Sequence, residues 1–338
     1  MKKVVLLGDR RAGLVEVPDP RPKEDWVVVK VLAAPMCTEY KLFKAGGKAE
    51  FLGHEAAGEV VAVAQPGPVK VGDRVVVMPL NGCGRCALCL AGENIHCQNG
   101  RDFVKTHGTA EGSQTMAQYL LKPAFLLPTI PEGVSYERAA LACCALGPSF
   151  GAFQTMGLGA FDTVLIAGAG PVGLGAVVNA RFRGARVIVA EMIPYRVERA
   201  KQMGAAAVID PRDPDAVKRI KELTDGKGVD CSIDCAGCVA AGRLCIESTR
   251  RKGKVAFVGE YNDELPIKVS NDLIRNGLTL IGSWHYNLND FPKVMKVIQQ
   301  SPLIDWLISH TIPMSRIQEA FEISASNETA KVILKPWE

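Results

Sequence analysis

Val164-Leu165-Ile166-Ala167-Gly168-Ala169-Gly170-Pro171-Val172-Gly173 opens the stretch that decides the fold. An apolar run over 174–182 follows, and then Val187-Ile188-Val189-Ala190-Glu191. The pattern is a short apolar strand, a glycine turn, a helix, a second strand and a carboxylate at its end. Gly168 permits the tight turn, Gly170 lets backbone approach a pyrophosphate, and Gly173 lets the helix lie close to the strand. Pro171 and Val172 open the helix, whose free N–H groups and positive dipole end favour phosphate. Glu191 falls 21 residues after Gly170, where a carboxylate accepts hydrogen bonds from ribose hydroxyls. The same carboxylate repels a 2′-phosphate, so the turn predicts NAD rather than NADP.

Downstream, strands and helices keep alternating. A helix over 194–203 begins with Pro194 in its first turn and carries Arg196, placed to stack on adenine or pair with the cofactor. Strands over 206–209, 229–234, 254–258 and 278–282 alternate with helices over 214–223 and 240–249. With 164–167 and 186–191 they make six strands, as expected of a doubly wound dinucleotide fold. Cys235, Val258 and Ser283 lie at strand ends, where such sheets bind ligand. Cys231, Cys235, Cys238 and Cys245 have no ligand spacing and read as small buried residues. A helix over 290–300, a helix over 315–324 capped by Ser315, and a strand over 330–335 complete the chain.

Upstream the texture changes. Short alternating segments over 3–35, then 58–64, 74–78 and 118–121, are separated by Gly and Pro turns, which predicts a small barrel or sandwich. The first helical pattern spans 135–146, with Ser135 as its cap. Within this half lies Cys83-x2-Cys86-x2-Cys89-x7-Cys97. Four thiolates within fifteen residues can fill every position of a tetrahedral zinc, which makes the site structural. The surrounding lobe, 80–99, holds too little apolar content to fold without the metal. Cys37, His54 with Glu55, and the Cys143-Cys144 pair form a dispersed second set. One Cys, one His and a further Cys leave a zinc position open for water or substrate.

Length and composition bound the class. The chain has 338 residues, 48% hydrophobic and 22% charged, enough for about two domains. A net charge of +4 without a dense Lys/Arg run points away from nucleic acid and from membrane surfaces. No signal peptide opens the chain and no apolar run reaches the ~18 residues of a membrane span, so a cytoplasmic protein is expected. Eleven cysteines in that setting favour metal over disulfides.

Taken together, Cys37, Gly53-His54-Glu55, the four-cysteine lobe, Gly72-Asp73-Arg74-Val75 and the glycine turn resemble the zinc-containing alcohol dehydrogenases of the medium-chain dehydrogenase/reductase superfamily, over essentially the whole chain. The resemblance implies an α/β protein: a GroES-like, β-rich catalytic domain over 1–150, a doubly wound Rossmann NAD-binding domain over 151–288, and a return segment over 289–338 that completes the first domain. It implies Cys37, His54 and Cys144 as catalytic zinc ligands, with Glu55 beside the metal or transiently on it. Cys144 is preferred to Cys143 because its distance to Gly151-Ala152 matches the family's spacing. Backbone near Val258 and Ser283 would hold the nicotinamide amide. The implied activity is hydride transfer between NAD and an alcohol, polyol or carbonyl compound, with two zinc per chain and a homodimeric or homotetrameric assembly. Two departures stand out. Glu39 occupies the position of the proton-relaying Ser or Thr, with Thr38 beside it, and Pro148 replaces a Thr near the nicotinamide. Either Glu39 takes the proton, or Thr38 turns in, or water relays it; Glu39 could instead bind a substrate hydroxyl. The rival reading is a non-catalytic NAD-binding zinc protein of the same fold.

Overall fold

A computed structural model describes residues 1–338. The chain forms two compact units: Met1–Cys144 with Asn287–Gln300 and Ile308–Glu338, and Ala145–Tyr286 with Ser301–Leu307.

The first unit begins with β1 (Lys2–Gly8), β2 (Arg11–Glu16), β3 (Trp26–Pro35), α1 (Glu39–Lys44), β4 (Lys48–Ala49), β5 (Ala56–Ala62) and β6 (Arg74–Val77). β1 pairs with β2 and β4, while β3 pairs with β5 and β5 with β6, all antiparallel. Val29, Val31, Val60, Val75 and Val77 from these strands share one apolar cluster. β-Branched residues suit such a pleated, buried surface. After α2 (Ala87–Leu90) and α3 (Phe103–His107), β7 (Tyr119–Pro123) joins the other edge of β3. Buried Lys122 on β7 donates to the Leu80 carbonyl and to Asn81 Oδ1, pinning the root of the cysteine lobe. Burial pushes that amine down to about 7.

α4 (Tyr136–Ala140) is capped by Ser135, which accepts from the Arg138 N–H. The helix expected over 135–146 stops there. The N–H groups of Leu141, Ala142 and Cys143 bond three residues back, and that of Cys144 goes to Glu55 Oε2 instead of to a helical carbonyl.

The second unit holds α5 (Gly147–Met156), β8 (Thr163–Ala167), α6 (Pro171–Phe182), β9 (Arg186–Ala190), α7 (Pro194–Gln202), β10 (Ala207–Ile209), α8 (Ala216–Glu222), β11 (Val229–Asp234), α9 (Val239–Ser248), β12 (Thr249–Phe257) and β13 (Thr279–Gly282). Its six strands run parallel in the order β10-β9-β8-β11-β12-β13. Order reverses between β8 and β11, the switch point at which such sheets bind ligands beyond their carboxyl ends. Near-continuous apolar runs such as Thr163–Ala167 are what a sheet covered on both faces requires.

α10 (Phe291–Gln300), β14 (Ile308–Pro313), α11 (Ile317–Ala325) and β15 (Lys331–Lys335) return to the first unit. Ser315 does not cap α11. It lies in a 3-10 turn, its N–H bonded to the Glu338 carbonyl, and the helix starts after Arg316. β15 pairs with β14 in parallel and with the end of β3 antiparallel, which carries Lys331 to Met36. No helix is long and apolar enough to cross a membrane.

Candidate functional site

Three chain segments of the first unit bring the dispersed set together. Cys37 follows β3, His54 and Glu55 precede β5, and Cys144 ends the broken turn after α4. The ligand atoms of Cys37, His54, Glu55 and Cys144 all lie within 4.8 Å of one another. His54 Nε2 is 3.3 Å from Cys144 Sγ, and 3.9 Å from Glu55 Oε1. Two sulfurs, one imidazole nitrogen and a carboxylate in reserve are the donor chemistry that zinc accepts.

The charges around these donors fit a cation. A hydrogen bond from Cys144, against the effect of burial and with help from Lys331, holds the Cys37 thiol well below its usual range. Burial opposes a charged His54, yet bonds to Cys37 and Glu39 outweigh it and raise the imidazole to about 11. A field that so favours positive charge at the ring also favours a divalent ion at Nε2.

Two residues control the donors from behind. Glu39 Oε1 lies 3.0 Å from His54 Nδ1, and its Oε2 accepts the Cys37 N–H at 2.8 Å. One carboxylate thus fixes the ring and the backbone of two donors, and by accepting from Nδ1 it makes Nε2 the nitrogen whose proton a metal would displace. The sequence admits Glu39 as a base or a pocket group and does not reveal this role; its only signal is the two-residue step from Cys37. Lys331 carries no signal in the sequence. Its Nζ is 2.5 Å from Glu55 Oε1 and 3.0 Å from the Met36 carbonyl, and the Lys331 and Glu55 side chains are essentially fully buried. Burial pushes Glu55 up to about 7 against the pull of Lys331. Thr38 is exposed at the start of α1, and its side chain makes no cap bond.

The lobe cysteines form the other cluster. Cys83 Sγ is 3.9 Å from Cys89 Sγ, and Cys86 Sγ is 3.9 Å from Cys97 Sγ. A tetrahedron with ~2.3 Å zinc–sulfur bonds has edges of about 3.8 Å, whereas a disulfide needs about 2.05 Å. The N–H groups of Cys83 and Cys86 point at sulfurs of Cys97 and Cys83, as thiolates require.

In the second unit Gly168 has φ +89°, a conformation other residues avoid. A Cβ on Gly173 would sit 1.8 Å from the Gly168 carbonyl oxygen, so only glycine lets α6 start this close to β8. Gly170 caps that helix, with Pro171 and Val172 in its first turn. The Arg196 guanidinium lies within 4.0 Å of the space a Gly170 Cβ would fill. Glu191 accepts from the N–H groups of Ala169, Met192 and Ile193, which uses three of about four acceptor positions of its carboxylate. Cys235 is half-buried and packs its Cβ against Gly173, whereas Cys238, expected to be buried, is exposed. The N–H groups of Val258 and Ser283 are bonded to the Asp234 and Phe257 carbonyls.

Two family descriptions match the chain: an alcohol dehydrogenase GroES-like domain over residues 23–132 and a zinc-binding dehydrogenase over residues 171–300. The chain is 34% identical to sorbitol dehydrogenase of Bacillus subtilis, covering 99% of this chain and 97% of that one. It is also 34% identical to L-threonine 3-dehydrogenase of Pyrococcus horikoshii, with 95% and 94% covered. Among solved structures, the alcohol dehydrogenase of Thermus sp. ATN1 superposes with a TM-score of 0.89 at 27% identity over 99% of both chains.

Proposed function

The chain belongs to the zinc-containing alcohol dehydrogenases of the medium-chain dehydrogenase/reductase superfamily, and we propose on that premise that Cys37, His54 and Cys144 hold its catalytic zinc, with Glu55 as the reserve donor. The protein is an oxidoreductase of alcohols or polyols that works with zinc and NAD. The reading of a non-catalytic binder finds no support among relatives that carry dehydrogenase names.

The observation that carries the site assignment is the convergence of those four donors, drawn from positions 37 to 144, within 4.8 Å. Zinc, when bound, supplies Lewis acidity toward an alcohol or carbonyl oxygen, and NAD, when bound, takes or gives the hydride. The chain's own residues do the rest. Glu39 holds the Nδ1 side of His54 so that Nε2 is the nitrogen turned to a metal, and Lys331 offsets part of the cost of a charge on buried Glu55. With both Glu39 oxygens engaged, we assign the outward proton transfer to the Thr38 hydroxyl, which has no cap bond to break. Cys83, Cys86, Cys89 and Cys97 hold a second, structural zinc. In the other unit Gly168, Gly170 and Gly173 with the start of α6 receive the pyrophosphate, and Arg196 adds positive charge beside it. Glu191 keeps an acceptor position for a ribose hydroxyl, and the carbonyls of Val258 and Ser283 take the carboxamide hydrogens. Cys235 supports the turn from below. Kinship supports a homodimer or homotetramer in the cytoplasm; light scattering of the purified chain tests the assembly.

A Cys37→Ala chain tests the centre. Zinc falls from two to one per chain, turnover falls by ~10³-fold or more, and NAD affinity stays within twofold. Full turnover in that variant would remove the assignment.

A further inference from the structure

Asp234 ends β11, the strand beside β8 across the switch point of the second unit's sheet. Its carbonyl oxygen accepts from the N–H groups of Val258 and Gly259, which follow β12. Its Oδ1 accepts from the N–H groups of Ala236 and Gly237, each at 3.0 Å. The residue is fully buried, and its Oδ2 has no partner. Burial pushes the carboxyl up against the pull of the two N–H groups. What the fold uses is therefore the acceptor at Oδ1 rather than the charge.

Those bonds hold three strand ends against one another, backbone on backbone. The place a Cβ on Gly168 would take is walled by Ala236, whose N, Cα and Cβ lie 2.8–2.9 Å from it. On the far side of the same turn, a Cβ on Gly259 would lie 2.3 Å from the Gly237 nitrogen. Gly168 after β8, the turn at 236–237 after β11 and Gly259 after β12 thus form one layer, which side chains would force apart. Gly168 belongs to the glycine turn, and Ala169 beside it donates to Glu191. The turn is held from two directions: by Glu191 through Ala169, and by Asp234 through Ala236. Glu191 has an acceptor position left for a ligand, whereas Asp234 lies beneath the layer with its side chain closed off.

We propose that Asp234 is a positioning residue for the dinucleotide, acting through the 236–237 turn that walls Gly168. The inference rests on the reading of Gly168, Gly170 and Gly173 as the pyrophosphate turn. Backbone N–H groups at such a turn bind phosphate only in the directions the turn gives them, so a displaced wall costs cofactor affinity. The zinc donors lie on other residues, so metal content and the rate with cofactor saturating are left as they were.

NADH binding to the zinc-loaded full chain is read by fluorescence for wild type and for Asp234→Ala, Asp234→Asn, Gly237→Ala and Gly170→Val. Asparagine keeps an Oδ1 acceptor for both N–H groups, and alanine strands both. Asp234→Ala should bind NADH about tenfold more weakly, with zinc content unchanged and kcat at saturating NAD within twofold of wild type. Asp234→Asn should bring binding back to within twofold. Gly237→Ala keeps Asp234 but puts a Cβ 3.0 Å from the Glu260 carbonyl oxygen at φ +67°, so the turn must shift and NADH should weaken there too. That variant decides the question if Asp234→Ala does not fold. Wild-type affinity in either variant, whatever its melting temperature, would leave Asp234 a support of the fold alone and overturn the inference. Equal weakening in the asparagine and alanine variants would overturn it as well, because the acceptor would not be what matters. Gly170→Val obstructs the approach of a pyrophosphate and separates the two readings. If it binds NADH like wild type, the glycine turn is not the site and both readings fall. If it loses NADH while Asp234→Ala keeps it, the inference falls alone.

Discussion

The two cysteine centres of the first unit are each four-donor clusters drawn within 4.8 Å, and they are built in opposite ways. The lobe centre is written in fifteen consecutive residues. Around it are loops, a four-residue helix with no buried side chain, and a pinned root. Asn287 and Asn289 tie the lobe's outer turn down through the Ala91 carbonyl and Glu93, and within that frame the metal would be what draws the four sulfurs together. The dispersed centre takes its donors from the ends of two strands and from the broken turn after α4, and charged side chains hold them: Glu39 under His54 and Cys37, and Lys331 under Glu55. The first centre needs its metal in order to have a shape. The second has its shape from the fold and can leave a position open for chemistry.

Removing one donor from each centre should therefore break different things. Metal-driven order is worth about 10–16 kcal/mol in isolated zinc-finger peptides, so the lobe has much to lose. Cys86→Ala should lower melting further than Cys37→Ala does and remove one zinc per chain, while chains that remain folded keep their kcat. Cys37→Ala should do the reverse. Differential scanning calorimetry with zinc analysis reads both. If Cys86→Ala melts like wild type, the lobe is ordered by its own packing and the contrast collapses.

A sharper probe goes to the buried charges. Removing Lys331 takes the nearest positive charge away from fully buried Glu55, and breaking such a pair costs about 3–5 kcal/mol. For a chain of 338 residues melting as a unit, this is on the order of a 5 °C fall. Lys331→Met should show it, and the double variant Lys331→Met with Glu55→Leu should recover most of it, because an apolar pair of similar volume avoids the stranded charge. Equal melting of the single and double variants would mean that the pair is not what supports this corner.

How much of this is written in the chain follows the same division. The lobe cysteines and the glycine turn are legible because their partners are near in sequence, and the six strands of the second unit because continuous apolar runs mark them. α1 is not legible: six residues with only Phe43 buried leave no periodic signal. The pattern over 135–146 overstates α4 because Glu55, 89 residues upstream, takes the Cys144 N–H that would have continued the helix. Lys331 stands 276 residues from Glu55 and in an ordinary strand pattern, so only the pairing of β15 with the end of β3 reveals its partner. Glu39 stands out in the sequence, but for another task. Its side chain could as well have faced substrate, and the choice depends on where the His54 ring lies.

That last choice yields the smallest and most discriminating effect. A glutamine at position 39 can still accept the Cys37 N–H through its carbonyl oxygen. Its amide NH₂ then faces His54 Nδ1 and donates to it, which places the ring proton on Nε2, the atom near Cys144 Sγ. The donor would be presented in the wrong tautomer, and partners of this kind typically change metal affinity or activity by about 10–100-fold. Glu39→Gln should therefore release the catalytic zinc to a chelator ~10–100 times more readily, with lost turnover restored by excess zinc and an unshifted pH profile. Were Glu39 instead the group that takes the substrate proton, the same variant would keep its zinc, lose kcat that no added metal restores, and move the acid limb of its pH profile. The two outcomes cannot be confused, and they decide whether the carboxylate beside Cys37 shapes the metal's donors or joins the proton's path.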